Sequence, residues 1–323
     1  MAYVDLVSTG LTPVQGGSTY NFSYDTPISA DGSPHITHMG FQIDGEVGAG
    51  PAFISTIGRL ITNIRIKIGA NTILDFNDPF ANVDGTTPSN LSCLAAKVRG
   101  VDMISTTNAA GNAFISELAL PFGLDASRSH RVNFTITLGS ETTWCGQAFD
   151  VAATQFNVVN YYGTSADSTL YGSRQDFTLT NGAERAITIY GKQGWSMLGI
   201  SAINDTDADE ISQIRVNNGA FRALKVQQWR VLDSTYLNGI RTIGADLNVP
   251  NWVLSRAGFV FLDLKRITAG ANIDLIVSST ADTTYSFFPV WVAPLNAKTA
   301  QAPSQTIKTV SSTAKDVESE SYN

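Results

Sequence analysis

Cysteine is almost missing from this chain: Cys93 and Cys145 are the only two in 323 residues. Two thiols cannot staple a polypeptide of that length, so stability has to come from packed cores and the thiols read as free and partly buried. Histidine is nearly as scarce, with His35, His38 and His130 alone. A metal-dependent enzyme of the double-barrel cupin type needs a His-x-His pair, and none occurs. Charge is sparse as well: 15% of residues are charged, the net charge is −7 and the pI is near 4.9. No run of Lys or Arg supplies the positive footprint that displaces counterions, so direct nucleic acid binding by the folded body is not expected. No stretch reaches the roughly eighteen uninterrupted apolar residues of a membrane span. Met1–Asp5 shows neither a basic nor an apolar signal region, which predicts synthesis and folding in a cytoplasm. The Asn-x-Ser/Thr sites at Asn21, Asn90, Asn133 and Asn204 then carry no weight.

What the chain does have is alternation. Hydrophobic residues make up 43% of it, interrupted by 27 Gly and 11 Pro. Ile64, Ile66 and Ile68 alternate with Arg65 and Lys67, and Val132, Phe134, Ile136 and Leu138 alternate with Asn133, Thr135 and Thr137. A period of two with one apolar face is the mark of half-buried strands in a sandwich. Further strands are expected near 18–24, 37–44, 112–120, 147–160, 174–180, 186–190, 196–203, 252–265 and 284–293, while 221–238 fits a helix or a strand. One helix stands out: Ser89 can cap it, Leu91, Leu94, Ala95 and Val98 line one face, and Gly100 sits at the place of a terminating glycine.

Two stretches echo two others in the same order. Residues 61–74 resemble 211–224, 150 residues on, with Ile, Ile, Arg, Gly, Ala and Leu in register. Val132, Phe134 and Ile136 followed by Thr142-Thr143-Trp144 are matched by Ile273, Leu275 and Val277 followed by Thr283-Thr284-Tyr285, 141 residues on. Collinear echoes at nearly constant spacing predict two tandem copies of one β-rich module, and a length of 323 residues suits two domains. Ile64 should then occupy the place of Ile214, and Phe134 that of Leu275. A linker is expected near 162–172, and the boundaries read as an N-terminal segment 1–17, modules 18–163 and 164–295, and a flexible Ser/Thr-rich arm 296–323.

Candidate chemistry is thin. His35 and His38, three apart, point to opposite faces of a strand. Gly194-Trp195-Ser196-Met197-Leu198-Gly199 is one residue too long for a nucleophile elbow and reads as a strand with a buried Trp. Gly45, Gly48 and Gly50 form a glycine-rich loop without the Lys and Ser/Thr of a phosphate loop. Asp205, Asp207 and Asp209 alternate in an acidic loop that could converge on calcium, yet the helix–loop–helix calcium pattern fails at Glu210 and Val216. No catalytic, metal or cofactor residue is assigned.

Two β-sandwich modules, a polar tail and no catalytic apparatus resemble the double jelly-roll major capsid proteins of icosahedral, lipid-containing bacteriophages, the lineage that includes adenovirus hexon. The resemblance spans residues 18 to 295 and rests on size, duplication and the helix at 89–99. It implies an all-β fold of two eight-stranded jelly rolls with a short inserted helix. It also implies a homotrimeric, pseudo-hexagonal capsomer in a virion shell, with neighbouring capsomers and minor or vertex proteins as partners and an internal membrane close by. The rival is a two-jelly-roll hydrolase acting on glycans or peptides, or a carbohydrate-binding protein.

Overall fold

A computed structural model describes residues 3–11, 16–30, 32–48, 56–78, 89–106, 112–164, 167–204, 208–216, 224–225, 228, 258–267 and 269–294. The first half contains β1 (Tyr3–Leu11), β2 (Thr19–Asp25), β3 (His35–Glu46), β4 (Ile61–Ile68), β5 (Asn71–Asn77), α1 (Asn90–Lys97), β6 (Val101–Thr106), β7 (Ala113–Asp125), β8 (Arg131–Leu138), α2 (Glu141–Cys145) and β9 (Gln155–Gly163). The second contains β10 (Asp167–Tyr171), β11 (Gln175–Leu179), β12 (Glu184–Ile189), β13 (Ser196–Asn204), β14 (Ile211–Val216), β15 (Leu224–Lys225), β16 (Phe259–Ile267), β17 (Ile273–Ser279) and β18 (Thr283–Pro294).

These strands form four antiparallel sheets, two to each half. The first roll faces the order β1-β9-β3-β7-β6 with β2-β8-β4-β5. The second faces β10-β18-β13-β16, with β11 also on β18, with β12-β17-β14-β15. Apart from β6, which has no counterpart among the described strands, and the division of the first strand into β10 and β11, the orders match, so β8 and β17, and β4 and β14, are equivalent. In the two middle strands the register agrees to the residue: Ile64 lies opposite Ile136 and Ile66 opposite Phe134, as Ile214 lies opposite Val277 and Val216 opposite Leu275. At the edge it does not, since Leu74 lies opposite Ile66 whereas Leu224 lies opposite Ile214 and so takes the place of Phe76. Ile64 and Ile214, and Phe134 and Leu275, therefore hold equivalent places, as the echoes predicted. Alternation drives both sheets: Val132, Phe134 and Ile136 are at most 2% exposed, whereas Asn133, Thr135 and Thr137 between them are half-buried.

Several expectations need correcting. Thr142–Trp144 belong to α2, where Ser140 accepts from the Thr143 amide as N-cap, while Thr283–Tyr285 open strand β18. That part of the echo is coincidental. Most of the expected linker is strand, since β9 runs to Gly163 and β10 starts at Asp167. The amino-terminal segment is not separate either, because β1 pairs with β9 from Tyr3 to Leu11 and extends the first sheet. Gly45 lies inside β3, where a Cβ would come within 2.7 Å of Thr154, so it serves close packing and not a loose loop. Helix α1 ends as a Schellman turn, but the left-handed residue is Arg99 (φ 63°), one before the glycine. The Gly100 and Arg99 amides donate to the Ala95 and Ala96 carbonyls. Gly100 is needed for space: a Cβ there would stand 2.5 Å from the Ala119 carbonyl oxygen. The ambiguous stretch 221–238 contains β15 at Leu224–Lys225; apart from Gln228, its remainder and the arm 296–323 lie outside the described residues.

The two rolls share one hydrophobic cluster. Phe76 on β5 meets Phe288 on β18 at 5.0 Å between ring centroids, and Phe122 meets Tyr171 at 5.6 Å. The Tyr171 hydroxyl donates to the Pro121 carbonyl and that of Ser168 to the Gly123 carbonyl. Gly123 has φ +59°, and a Cβ on it would fall 2.0 Å from the Asp167 carbonyl oxygen. The connection between the rolls is thus held by close backbone approach as well as by apolar burial.

Candidate functional site

Among the described residues no group of three His, Cys, Asp or Glu is placed to hold a metal ion. His35 and His38 share β3, with a register shift at Ile36/His38. His38 sits between the Thr37 hydroxyl and the Arg99 carbonyl at 3.1 Å each, and burial pushes its pKa down. His130 contacts the Asp125 carbonyl at 2.7 Å, within a turn. Trp195 is buried beside the start of β13, and Ser196 is a strand residue. In the acidic loop, Asp209 accepts the Gly258 amide and Glu210 accepts from Asn204, which ties that loop to the second core. Asp205 and Asp207 lie outside the described residues.

The polar chemistry the sequence did not single out is structural. On β6, Asp102 turns inward and accepts from the Thr56 hydroxyl at 2.9 Å and the Gly58 amide at 3.1 Å. Withdrawal from water pushes its pKa up, against the hydrogen bonds from Ser92, Gly58 and Thr56 and the nearby Arg59 charge. Ser89 donates to the Gly58 carbonyl and its oxygen accepts from the Ser92 amide. Asp78 accepts from the Asn90 side chain and the Leu91 amide, placing a carboxylate at the α1 N-terminus where the helix dipole favours it. This network clamps α1 and the 3-10 turn Ile57–Arg59 onto β6. Ser89 caps α1 as the sequence predicted, but the two distant aspartates carry no sequence signature for the rest of the network.

The outer faces of the first roll differ in kind. On the four-stranded sheet, Asn21, Ser23, Arg65, Lys67, Asn133 and Thr135 border a shallow groove of about 540 Å³. Thr135 donates to Asn21 at 2.8 Å, and Arg131 pairs with Asp25 across the strands. Nothing in that lining is a carboxylate, the group that glycoside hydrolysis uses in pairs. On the five-stranded sheet, pairing aligns Leu6, Val159, Gly40, Ala119 and Val101 in one row across all the strands. Val4 and Met103 flank the row on the same face, beside Tyr161 and Glu117. The Tyr161 hydroxyl donates to Glu117, which also accepts from Gln42, so the one carboxylate in that central strip is occupied; burial and this bond push the Tyr161 pKa up.

No protein-family model matches the chain, and no curated protein matches it. Among solved structures it is similar to the major capsid protein P2 from Bacteriophage PM2, at 10% identity over 90% of this chain and 98% of that one, with a TM-score of 0.52. It is similar to the STIV MCP at 9% identity, over 91% of this chain and 97% of that one, with a TM-score of 0.54. The atomic structure of Sulfolobus Turreted Icosahedral Virus matches at 10% identity, over 90% of each chain, with a TM-score of 0.51. Identities this low speak for the fold, and the fold of this chain is that of the double jelly-roll major capsid proteins of icosahedral viruses.

Proposed function

We propose that the chain is a structural capsid protein, three copies of which form a pseudo-hexagonal capsomer of an icosahedral virion. The observation that carries this reading is the pair of equivalent rolls, matched end to end by viral capsid chains over 90% or more of both lengths. The physical logic is that a duplicated module lets three chains fill a six-sided footprint, while sparsely charged sheet surfaces can be buried between subunits without stranding ions. Its partners are then neighbouring capsomers and minor or vertex proteins, with an internal membrane close by and no direct nucleic acid contact. Catalysis has no place in this assignment, and the hydrolase and carbohydrate-binding alternative draws support from no particular feature of the fold. Light scattering on the purified protein, with negative-stain images, tests it. The expected particle has three times the 34.6 kDa chain mass and a hexagonal outline; a monomer at all concentrations overturns the reading.

A further inference from the structure

The outer face of the four-stranded sheet in the first roll is biased toward hydrogen-bond donors. Pairing aligns Asn21, Thr135 and Arg65 in one row across β2, β8 and β4, and Ser23, Asn133 and Lys67 in the next. Neighbours engage two of the acceptors: the Asn21 side-chain oxygen takes the Thr135 hydroxyl proton at 2.8 Å, and the Ser23 oxygen takes an Arg131 N–H at 2.6 Å. The Asn21 amide N–H groups and the Ser23 hydroxyl proton are left for a ligand in the groove. Two cations stand beside them on β4. Arg65 meets Asp75 through Nε at 3.4 Å and stays nearly half exposed, while Lys67 has no hydrogen-bond or ion-pair partner among the described residues.

The equivalent sheet of the second roll does not repeat this. Arg215, the counterpart of Arg65, is engaged by Glu184, and Asp274, in the place of Asn133, accepts from Thr188 at 2.7 Å. In a chain of net charge −7, the donor-rich groove of the first roll suits carboxylates. Arg65 and Lys67 are two residues apart on one strand, so they leave the sheet about 6.8 Å apart. An extended peptide lying along β4 matches that spacing when every second residue is acidic, because its rise per residue is the same. Two stretches of the sequence have this pattern. Asp205, Asp207 and Asp209 are anchored to the second core, since Asp209 accepts the Gly258 amide at 2.8 Å. Asp316, Glu318 and Glu320, alternating with Val317 and Ser319, begin 22 residues after Pro294 at the end of β18. That length of chain spans up to about 75 Å.

We propose that the groove over β2, β8 and β4 is the docking site for the chain's own acidic stretch Asp316–Glu320, with two of its carboxylates paired to Arg65 and Lys67 along β4 and the Asn21 and Ser23 donors completing the contact. Charge and spacing together select this occupant: a groove lined by no carboxylate meets a segment with three, at the period of the strand beneath it. The contact requires no particular oligomer, so it stands or falls apart from the capsomer reading.

The test uses a full-length chain whose own stretch is neutralised by Asp316→Asn, Glu318→Gln and Glu320→Gln. Fluorescence anisotropy follows a labelled peptide of residues 314–323 as it is titrated with this chain at low salt. The expected result is saturable binding that weakens at least ~10-fold when Lys67→Glu is added to the neutralised chain. Binding should also fall steeply as salt is raised. Arg215→Gln, at the equivalent place in the second roll, should leave it unchanged. The chain with its acidic stretch intact should bind the added peptide more weakly than the neutralised one, because the two compete for one groove. No binding to the neutralised chain overturns the proposal, and so does equal binding with and without Lys67→Glu. Circular dichroism and thermal melting check folding; should Lys67→Glu fail to fold, Lys67→Gln takes its place, with a smaller loss of binding expected and none overturning the proposal. A sulfated oligosaccharide that binds where the peptide does not would assign the groove to another ligand and overturn it as well.

Discussion

The two rolls share strand order and, along β4 and β8 against β14 and β17, residue register, yet they are finished differently. The first adds β6 beyond β7, inserts α1 and α2, and clamps α1 with Asp102, Asp78, Ser89 and Ser92. In the second, the first strand is broken into β10 and β11, both on β18, and the described core is closed by side chains such as Trp195 and Trp291, with Lys192 lying 4.8 Å over the Trp291 ring. Sheet pairing is thus the inherited part of the module, and the closure of its ends is free to diverge. A strand register cannot slip by one residue without turning the whole apolar set to water. A loop end can be sealed by a helix, a polar clamp or an aromatic ring with equal success.

Paired truncations at equivalent sites test the shared part, and these should have the largest effect. Phe134→Ala should cost about 3–5 kcal/mol, and Leu275→Ala about 2–5 kcal/mol, from lost burial plus a cavity. Phe134 should be the worse of the two because it packs on Phe41 at 4.8 Å and Phe22 at 4.9 Å between ring centroids. Chemical denaturation followed by fluorescence measures both. A negligible loss at either position would break the equivalence.

Next comes the clamp that, among the described residues, only the first roll displays. Asp102→Ala should lose on the order of 1–3 kcal/mol, as the Thr56 and Gly58 donors are left without their acceptor. The folded protein holds the Asp102 proton more tightly than the unfolded chain, whose aspartate titrates near 3.8. Between those two values the native state binds more protons, so stability should fall as pH rises through that window and level off above it. Asp102→Asn should remove this dependence, which pH-dependent unfolding of the two proteins would reveal; parallel profiles would show that Asp102 is not the source.

Gly123→Ala addresses the joint between the rolls. It should cost at least about 1–2 kcal/mol, the price of a non-glycine residue in the left-handed region, before the clash with Asp167 is counted. Calorimetry should show one transition in the wild type and a broadened or split one in the variant. The smallest effect is a gain: Arg99→Gly should stabilise the first roll by roughly 0.5 kcal/mol, since glycine is the favoured residue at this helix end. A loss there would mean that the arginine side chain contributes more than its backbone conformation costs.

Much of the strand framework was legible because its signal is local. Alternating Ile64-Ile66 and Val132-Phe134-Ile136 declare their buried face within a few residues, and the echo at 211–216 and 273–277 placed the second copy. The strand readings near 174–180, 186–190 and 196–203 hold as β11, β12 and β13. The polar and apolar surfaces were not legible in the same way. Leu6 and Val101 meet in one row only because β1 and β6 sit at opposite edges of a sheet whose order is set by distant partners. Asp102 reads as one more alternating polar residue until Thr56, Gly58 and Ser92 are brought to it from two other elements. Arg99 shows the opposite failure, where a good local rule pointed to the adjacent glycine and the chain used that glycine for space instead.

Both cysteines lie in the first roll, Cys93 in α1 and Cys145 in α2, and burial pushes the Cys145 thiol pKa up. A thiol reagent can therefore reach them only when the inserted helices open, and thiolate must form outside the protected state. The rate of labelling becomes a built-in clock for local opening of one roll, read without mutation, while the other roll is silent in the same experiment. In a mixture of free subunits and assembled particles, that clock would separate breathing of the inserted helices from global unfolding.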